Sequence, residues 1–440
     1  MKSHFSNAAF GILDYAAYPI GMLIVAPIAL RNLGVAHYGV WMFANAALTT
    51  GSVIASGFGD ANIRFVALQR GSGEHAGLLR AVRSTMGIHL TLGIAIALLA
   101  WIATPFASMR IAGSDPSLQF ECLWSLRIVS LLILARALES VCVSTQRAFE
   151  RYGTAIGYSV LARLLSLAAV FLPVARHSVI ALMIACAVFL TSSLSLQFLQ
   201  LQRLLQAHVL WPSFDRAATH ALFGFGIFSW IQAVSGVLYG QVDRLITGVS
   251  LGAAAVASYA LCAQLSQPVY GLAASGLHFL FPYITARNKG QSLLSLRRAI
   301  LFAFAANLLL VAAGTVALLL LGNRFLEMWS GPAVAHAGRT ILPILAAGTA
   351  AQGLSVTGSY ALLALGRVRV VTFLSLAGGA AMLLVAPWLL RRSGAEGMAI
   401  ARLCYGPMTL LVYIPLSAML FRTARKPAGA PPPADLCEEL

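Results

Sequence analysis

Ionisable side chains set in nearly unbroken apolar sequence are where this chain could do chemistry. Arg163 sits in YSVLARLLSLAAVF, Arg136 and Glu139 share LLILARALESV, and Asp14 interrupts FGILDYAAYPI. A charge at the centre of a bilayer costs on the order of 2.5–3.5 kcal/mol on insertion scales, so one that persists faces a cavity, a partner or a bound ion. Arg163 lies nine residues beyond Thr154, about 13 Å along a helix and near the midplane of a core about 30 Å thick. It reads either as a cavity residue facing water or an anion, or as one member of a structural ion pair. Arg136 and Glu139, three apart, share a helix face and read as a self-neutralising pair or as a substrate contact. Asp14, about 9 Å into its span, is too short to snorkel and needs a cation, a donor or a proton. These four residues converge on the cytoplasmic-to-middle layer of the first half.

The candidate substrate-binding residues are Arg163, Arg136, Arg127 and Arg244, and the candidate ion-coupling or charge partners are Asp14, Glu139 and Asp243. Arg127 and Arg402 each lie about four residues from an outer span end, within snorkelling reach of the interface. Asp243 and Arg244 are adjacent and so do not face each other on a helix, though they can line the outer part of the seventh span. His89 and His278 read as helix-packing histidines rather than proton carriers. No catalytic constellation, cofactor motif or metal-ligand spacing such as CxxC is present; four of the six cysteines (Cys142, Cys186, Cys262, Cys404) fall in spans, where a small apolar role is the default.

The elements that must position these groups follow from composition. With 59% hydrophobic residues, 10% charged residues and a mean hydropathy of +0.82, a soluble globular chain is excluded. Runs of about 20 mostly apolar residues fall at 8–30, 39–58, 84–106, 123–143, 155–175, 179–198, 221–249, 254–282, 299–321, 338–364, 370–390 and 396–421. They lack the two-residue alternation of a barrel strand. The expected fold is all-α: a polytopic membrane protein of about 12 transmembrane helices in two parallel pseudo-symmetric six-helix bundles. The net charge of +16 invites a nucleic-acid reading, but segments on the N-terminal side carry 18 Lys+Arg against eight on the other. That is the positive-inside asymmetry, and it puts both termini in the cytoplasm. The first span, with one preceding lysine and its own Asp14, reads as a retained helix rather than a cleaved signal peptide.

Two stretches half a protein apart repeat. LGVAHYGVW followed by VIASGF recurs as LGAAAVASYAL followed by LAASGL, at an offset of 218 from Gly34 to Gly252 and 219 from Gly57 to Gly276. A second match pairs Gly153 with Gly366 and Pro173 with Pro387, at 213 and 214. Such duplication characterises transporters whose halves rock around a shared midplane site. The expected organisation is a six-helix half over 1–205, a second over 206–421 and a disordered cytoplasmic tail over 422–440. Residues 199–220 form the hinge. The basic loops 59–83 and 199–220 are expected to hold short interfacial helices, arginines at the headgroups and Leu or Val in the acyl chains. Pro19, Gly21 and Pro27 in the first span read as a static kink or as a bending gate beside Asp14. Gly236 and Gly240 form a GxxxG, the pattern of close helix packing.

The same residues carry a family likeness. LRNLGVAHYGVWMFANAAL with SGFGDANIRFVALQ, FERYGTAIGYSVL and QVDRLITGVSLGAAAVASYALC resemble recurring stretches of Wzx-type polysaccharide flippases. These belong to the multidrug/oligosaccharidyl-lipid/polysaccharide (MOP) exporter superfamily. The resemblance implies a flippase, not an enzyme, that moves undecaprenyl-pyrophosphate-linked oligosaccharide from the inner to the outer leaflet of the bacterial inner membrane by alternating access. The role it implies is surface polysaccharide assembly (O-antigen, capsule or exopolysaccharide). The implied partners are that glycan, membrane lipids, and polysaccharide polymerase and chain-length proteins, with no nucleic acid and no cofactor. Arg136 and Arg163 offer charge for a pyrophosphate at the right depth. The nearest alternative is a cation-coupled multidrug exporter of the same superfamily; a cavity for organic cations calls for acids and aromatics, whereas the intramembrane charges here are mostly arginine. A lipid II flippase usually carries two further helices. A polymerase or glycosyltransferase needs sizeable external loops, and the outer loops here are short. A membrane scaffold without transport has no need for midplane arginines.

Overall fold

The computed structural model describes residues 2–175, 177–207, 209–277, 280, 284 and 293–422; the side chains of 1–16, 175, 225, 238, 239, 293–295 and 421–422 lie outside that description. Among the described residues there is no strand. The first half runs α1 (Lys2–Leu33), α2 (Val35–Ala55), α3 (Gly59–Ser72), α4 (His75–Ala112), α5 (Pro116–Ala148), α6 (Tyr152–Ala168) and α7 (Val179–Leu205). The second runs α8 (Arg216–Leu251), α9 (Ala253–Gly276), α10 (Leu293–Ser330), α11 (Pro332–Ala364), α12 (Val368–Leu403), α13 (Tyr405–Leu410) and α14 (Tyr413–Arg422).

Over its described residues each of the twelve apolar runs falls mainly on helix, the last two on either side of Gly394, whose φ of 56° and ψ of −134° break α12 into two arms. By length and hydropathy alone six helices are able to cross a bilayer among the described residues, or seven if α8, bent by 50° between Arg216–Gly224 and Gly226–Val237, is counted. The others are diluted by polar residues that the bundle itself buries: α5 encloses Ser130, Glu139, Ser144 and Gln146. The outward faces are apolar instead, as at Ile102, Leu309 and Leu384, because the surrounding solvent is lipid. One apolar core joins the halves, with Tyr38 and Val40 of α2 against Val256 and Tyr259 of α9. At that seam a Cβ on Gly39 would stand 1.8 Å from the Ala253 carbonyl oxygen, so only glycine permits the approach.

The duplication is written in the element boundaries. α4 and α10 are both 38 residues long, and both ends are offset by 218, from His75 to Leu293 and from Ala112 to Ser330. α5 and α11 are both 33 residues long, offset by 216 from Pro116 to Pro332 and from Ala148 to Ala364. The change of two residues is the connection: three residues, 113–115, in the first half and Gly331 alone in the second. Asp115 caps α5 by accepting from the Ser117 and Leu118 N–H groups at 2.9 and 3.2 Å. The Ser117 hydroxyl, donating at 2.8 Å, is the main reason the Asp115 carboxyl sits below the usual carboxylate range. Gly34 and Gly252 precede α2 and α9 with φ of 79° and 85°, a backbone that favours glycine.

Two expectations are corrected. Gly366 is equivalent not to Gly153 but to Glu150: both are left-handed, at φ 77° and 61°, and both close the same turn. Arg151 N–H reaches the Gln146 carbonyl at 3.0 Å and Arg367 N–H the Leu362 carbonyl at 2.9 Å, the C-terminal cap in which a left-handed residue follows the helix. Apolar sequence carries little register, so the small-residue match slipped by three. Nor do both basic loops hold interfacial helices. α3 forms, but it docks on protein: Val66 is buried, and Asn62 donates to Ser144 and Thr145 of α5 at 2.8 and 2.9 Å. In 199–220, α7 extends to Leu205 and the described residues from 206 to 215 are not helical. There the Ser213 N–H donates to the Arg83 carbonyl at 3.2 Å, tying the strap to α4. The tail residues 423–440 lie outside the described residues.

Candidate functional site

In the first half, α1, α2, α3, α5, α6 and α7, with Ala233 of α8 on one side, surround a cavity of about 640 Å³. Helix α5 supplies Arg136, Glu139 and Arg147, α6 supplies Ser159 and Arg163, and α1 supplies Tyr18 and Pro19. The structure therefore brings together three residues singled out above, Arg136, Glu139 and Arg163. Asp14 lies on the same α1, but its side chain falls outside the described residues, as does His278.

Glu139 is the buried anchor of this wall. Its side chain is 3% exposed, and Arg136 donates to its Oε2 at 2.7 Å. Its Oε1 accepts from Ser159 at 2.7 Å, Ser193 at 3.0 Å and Gln197 at 3.2 Å. Gln197 also donates to Ser159 at 2.8 Å, so α5, α6 and α7 meet on one carboxylate. A buried charge is tolerated only when paired and hydrogen-bonded, and here both conditions hold. Arg136, by contrast, is 26% exposed and presents its guanidinium to the cavity. The pair reading and the cavity reading thus divide between its two members. Among the described residues, three arginines (Arg136, Arg147, Arg163) and two carboxylates (Glu139, Asp60) line the space. Tyr18, which donates to Asn45 at 3.4 Å, stands within electrostatic reach of Arg163, Arg136 and Arg244.

The remaining candidates go elsewhere. Arg127 does not line the cavity: its guanidinium sits 5.1 Å from the Trp101 ring centroid and 5.0 Å from that of Trp124, a cation–π clamp between α4 and α5. Arg244 is buried on α8 and donates to Gln241 at 3.2 Å. Asp243 is fully buried and accepts from Tyr259 at 2.9 Å and from Arg402. Arg402 therefore does not snorkel. It is 2% exposed because an anion on α8 awaits it, and that pairing across 159 residues leaves no trace in local sequence. Among the described residues Gly236 and Gly240 pack closely against nothing: a Cβ at either would meet open space. Both line a second cavity of about 300 Å³ inside the second half. Pro19 and Pro27 lie within a continuous α1.

Sequence reading did not single out Ser159, Ser193, Gln197, Tyr18 or Arg147. Ser159 and Gln197 look like ordinary helix-interior polar residues, and only packing reveals their common target. The signal for Arg147 was positional, since it lies eleven residues after Arg136, about three helical turns along the same face.

The two halves touch at both ends of the seam. Trp329, in the last turn of α10, donates to the Leu23 carbonyl of α1 at 2.8 Å. At the opposite end Trp230 donates to the Ile54 carbonyl at 2.8 Å and Ser229 to Asp60 at 2.7 Å, with Phe58 stacked on Trp230.

No family model matches the chain, and no curated protein does. Solved structures do. An inward-facing multidrug resistance MATE-family transporter of the MOP superfamily is similar at a TM-score of 0.70 and 13% identity, over 95% of this chain and 96% of that one. The lipid II flippase MurJ in an inward closed conformation gives 0.72 at 14% identity, over 95% and 87%. The eukaryotic MATE transporter AtDTX14 gives 0.61 at 14% identity, over 96% and 98%. With its helices, its duplicated halves and these likenesses, the chain is a multi-pass membrane protein with the fold of the MOP-superfamily transporters.

Proposed function

We propose that this chain is a flippase for an anionic lipid-linked glycan, of the undecaprenyl-pyrophosphate class, working by alternating access in the bacterial inner membrane with both termini in the cytoplasm. The observation that carries the reading is the cavity wall of Arg136, Arg147 and Arg163, set, among the described lining residues, against two carboxylates, with Glu139 turned into protein and Asp60 engaged by Ser229. A pyrophosphate leaving water needs cationic, hydrogen-bonding partners, and guanidinium forks match its oxygens. The polyprenyl tail stays in lipid while the halves 1–205 and 206–421 rock about the seam of α2, α8 and α9. Surface polysaccharide assembly places a polymerase and chain-length proteins downstream.

A second reading, export of organic cations, draws on the multidrug transporters among the structural neighbours. A net-cationic wall repels such cargo, which weighs against it. The deciding experiment assays lipid-linked glycan on each face of the inner membrane in a strain lacking the gene. Full-length oligosaccharide accumulating on the cytoplasmic face, relieved by the wild-type gene, supports the flippase. Unchanged glycan together with raised sensitivity to cationic dyes supports the exporter.

A further inference from the structure

The duplicated helices allow the two cavities to be compared position by position. Where the first half has Arg136 on α5, the second has Gln352 on α11, at the 216 offset of those helices; where α6 has Arg163, α12 has Gly379. Ser159 has its counterpart in Ser375, which lines the second cavity as Ser159 lines the first. Tyr18 is replaced by Gly236 at the 218 offset of α1 and α8. The second half thus keeps the hydroxyl, exchanges the guanidinium groups for an amide and a glycine, and removes a bulky ring.

The result is a cavity of a different chemistry. Gln267, Gln352, Thr372 and Ser375 contribute amides and hydroxyls. The side-chain amides of Gln267 and Gln352 engage no partner among the described residues, while Arg402, the one cation among the described lining residues, is already committed to Asp243. Neutral donors and acceptors without partners, around about 300 Å³, match a neutral, hydroxyl-rich group, and that volume falls at the small end of ligand pockets at about 300–1,000 Å³. The cavity is adjacent to the first: α8 is their common wall, with Ala233 facing the first and Ser235 and Gly236 the second.

We infer that the second cavity is a carbohydrate subsite, receiving one sugar unit of the glycan while the first half holds the anionic linkage. This rests on the flippase reading and adds that the two halves recognise different parts of one molecule. Gly236 offers a clean test, because a side chain there enters open space and not the packing of a neighbour.

Purified full-length protein in lipid nanodiscs would be titrated with two probes, a short-chain polyprenyl pyrophosphate and the same lipid pyrophosphate carrying a disaccharide. Wild type is expected to bind the glycosylated probe about tenfold more tightly, the increment of a few neutral hydrogen bonds. Gly236→Leu is expected to erase that increment and leave the bare probe's affinity unchanged, and Gln352→Leu, which keeps the helix propensity, to reduce it. Arg163→Ala weakens both probes alike. Equal affinities for the two probes in wild type, or an increment that survives both Gly236→Leu and Gln352→Leu, overturns the subsite while leaving the flippase intact. Failure of wild type to bind either probe overturns the flippase reading and the subsite with it.

Discussion

His89 and Asn307 are the same contact made twice. His89 Nδ1 donates to the Ala137 carbonyl at 3.0 Å between α4 and α5, and Asn307 Nδ2 donates to the Gly353 carbonyl at 2.9 Å between α10 and α11. The donors are 218 apart and the acceptors 216, the offsets of the helices that carry them. A carbonyl only accepts, so Nδ1 of His89 carries the hydrogen, and a side chain that cannot titrate does the same work in the other half. His89 is a helix clasp. His89→Asn is expected to leave the transport rate within about twofold of wild type and its pH profile unchanged, because the replaced bond is of ordinary neutral strength. His89→Leu removes a second bond to a carbonyl that α5 already satisfies within its own ladder, and is expected to cost about 0.5–1.5 kcal/mol, read as a lowered unfolding temperature in detergent. Loss of transport in His89→Asn at normal expression would falsify the clasp.

Arg163 faces the cavity from α6 and is not needed to anchor Glu139. Arg163→Ala is therefore expected to insert and accumulate normally while abolishing glycan export. Arg163→Lys keeps the charge without the bidentate fork and should recover part of it. Export at full rate in Arg163→Ala, with normal expression, removes this residue from the pathway.

The Arg136–Glu139 pair should behave asymmetrically. Arg136→Gln leaves a nearly fully buried carboxylate without this cation, and breaking a buried pair on one side costs about 3–5 kcal/mol. The double replacement Arg136→Gln with Glu139→Ser reproduces Gln352 and Ser355 at the equivalent positions of the second half. It is expected to regain most of that stability but not export. Thermal unfolding of the two singles and the double measures this directly; an additive double mutant would show that the pair is not coupled.

Asp243 and Arg402 are both buried in contact with each other. Asp243→Asn removes the carboxylate charge that Arg402 contacts and is expected to lower stability by about 3–5 kcal/mol, with reduced yield of folded protein. Asp243→Leu combined with Arg402→Leu should be substantially more stable than either single variant. Equal stability of Asp243→Asn and wild type would mean that Arg402 finds another partner.

Glu150 pays for a backbone that glycine adopts freely. At φ 61° it does what Gly366 does at φ 77°, and a side chain in that region costs roughly 1–2 kcal/mol. Its carboxylate is exposed and only 4.0 Å from Arg70, a contact worth little. Glu150→Gly is expected to raise the unfolding temperature slightly and Gly366→Ala to lower it. An unfolding temperature that falls in Glu150→Gly would show that the Arg70 contact outweighs the strain.

What the amino-acid sequence determined on its own is the set of helices and their relation by duplication. Twelve apolar runs became helices because hydrocarbon leaves the backbone no partner but itself. Gly34 and Gly252 marked the repeat because a left-handed turn favours glycine wherever it recurs. Relative position along the helices was legible too, since rise per residue is constant, and Arg136, Glu139 and Arg163 do line one cavity. Rotation was not. Whether a helix residue faces lipid, cavity or a partner is set by side chains that arrive from far along the chain. That is why Arg402 reached Asp243 instead of the interface, Arg127 went between two tryptophans, and Gly236 and Gly240 opened onto a cavity in place of a helix. Register within apolar sequence was equally hidden, as the displaced Gly153–Gly366 match shows, because many small-residue alignments fit and only the turn geometry picks one. The contrast between a cationic first cavity and a neutral second one belongs to the tertiary structure alone, for it exists only once equivalent helices are laid over each other and their inward faces are known.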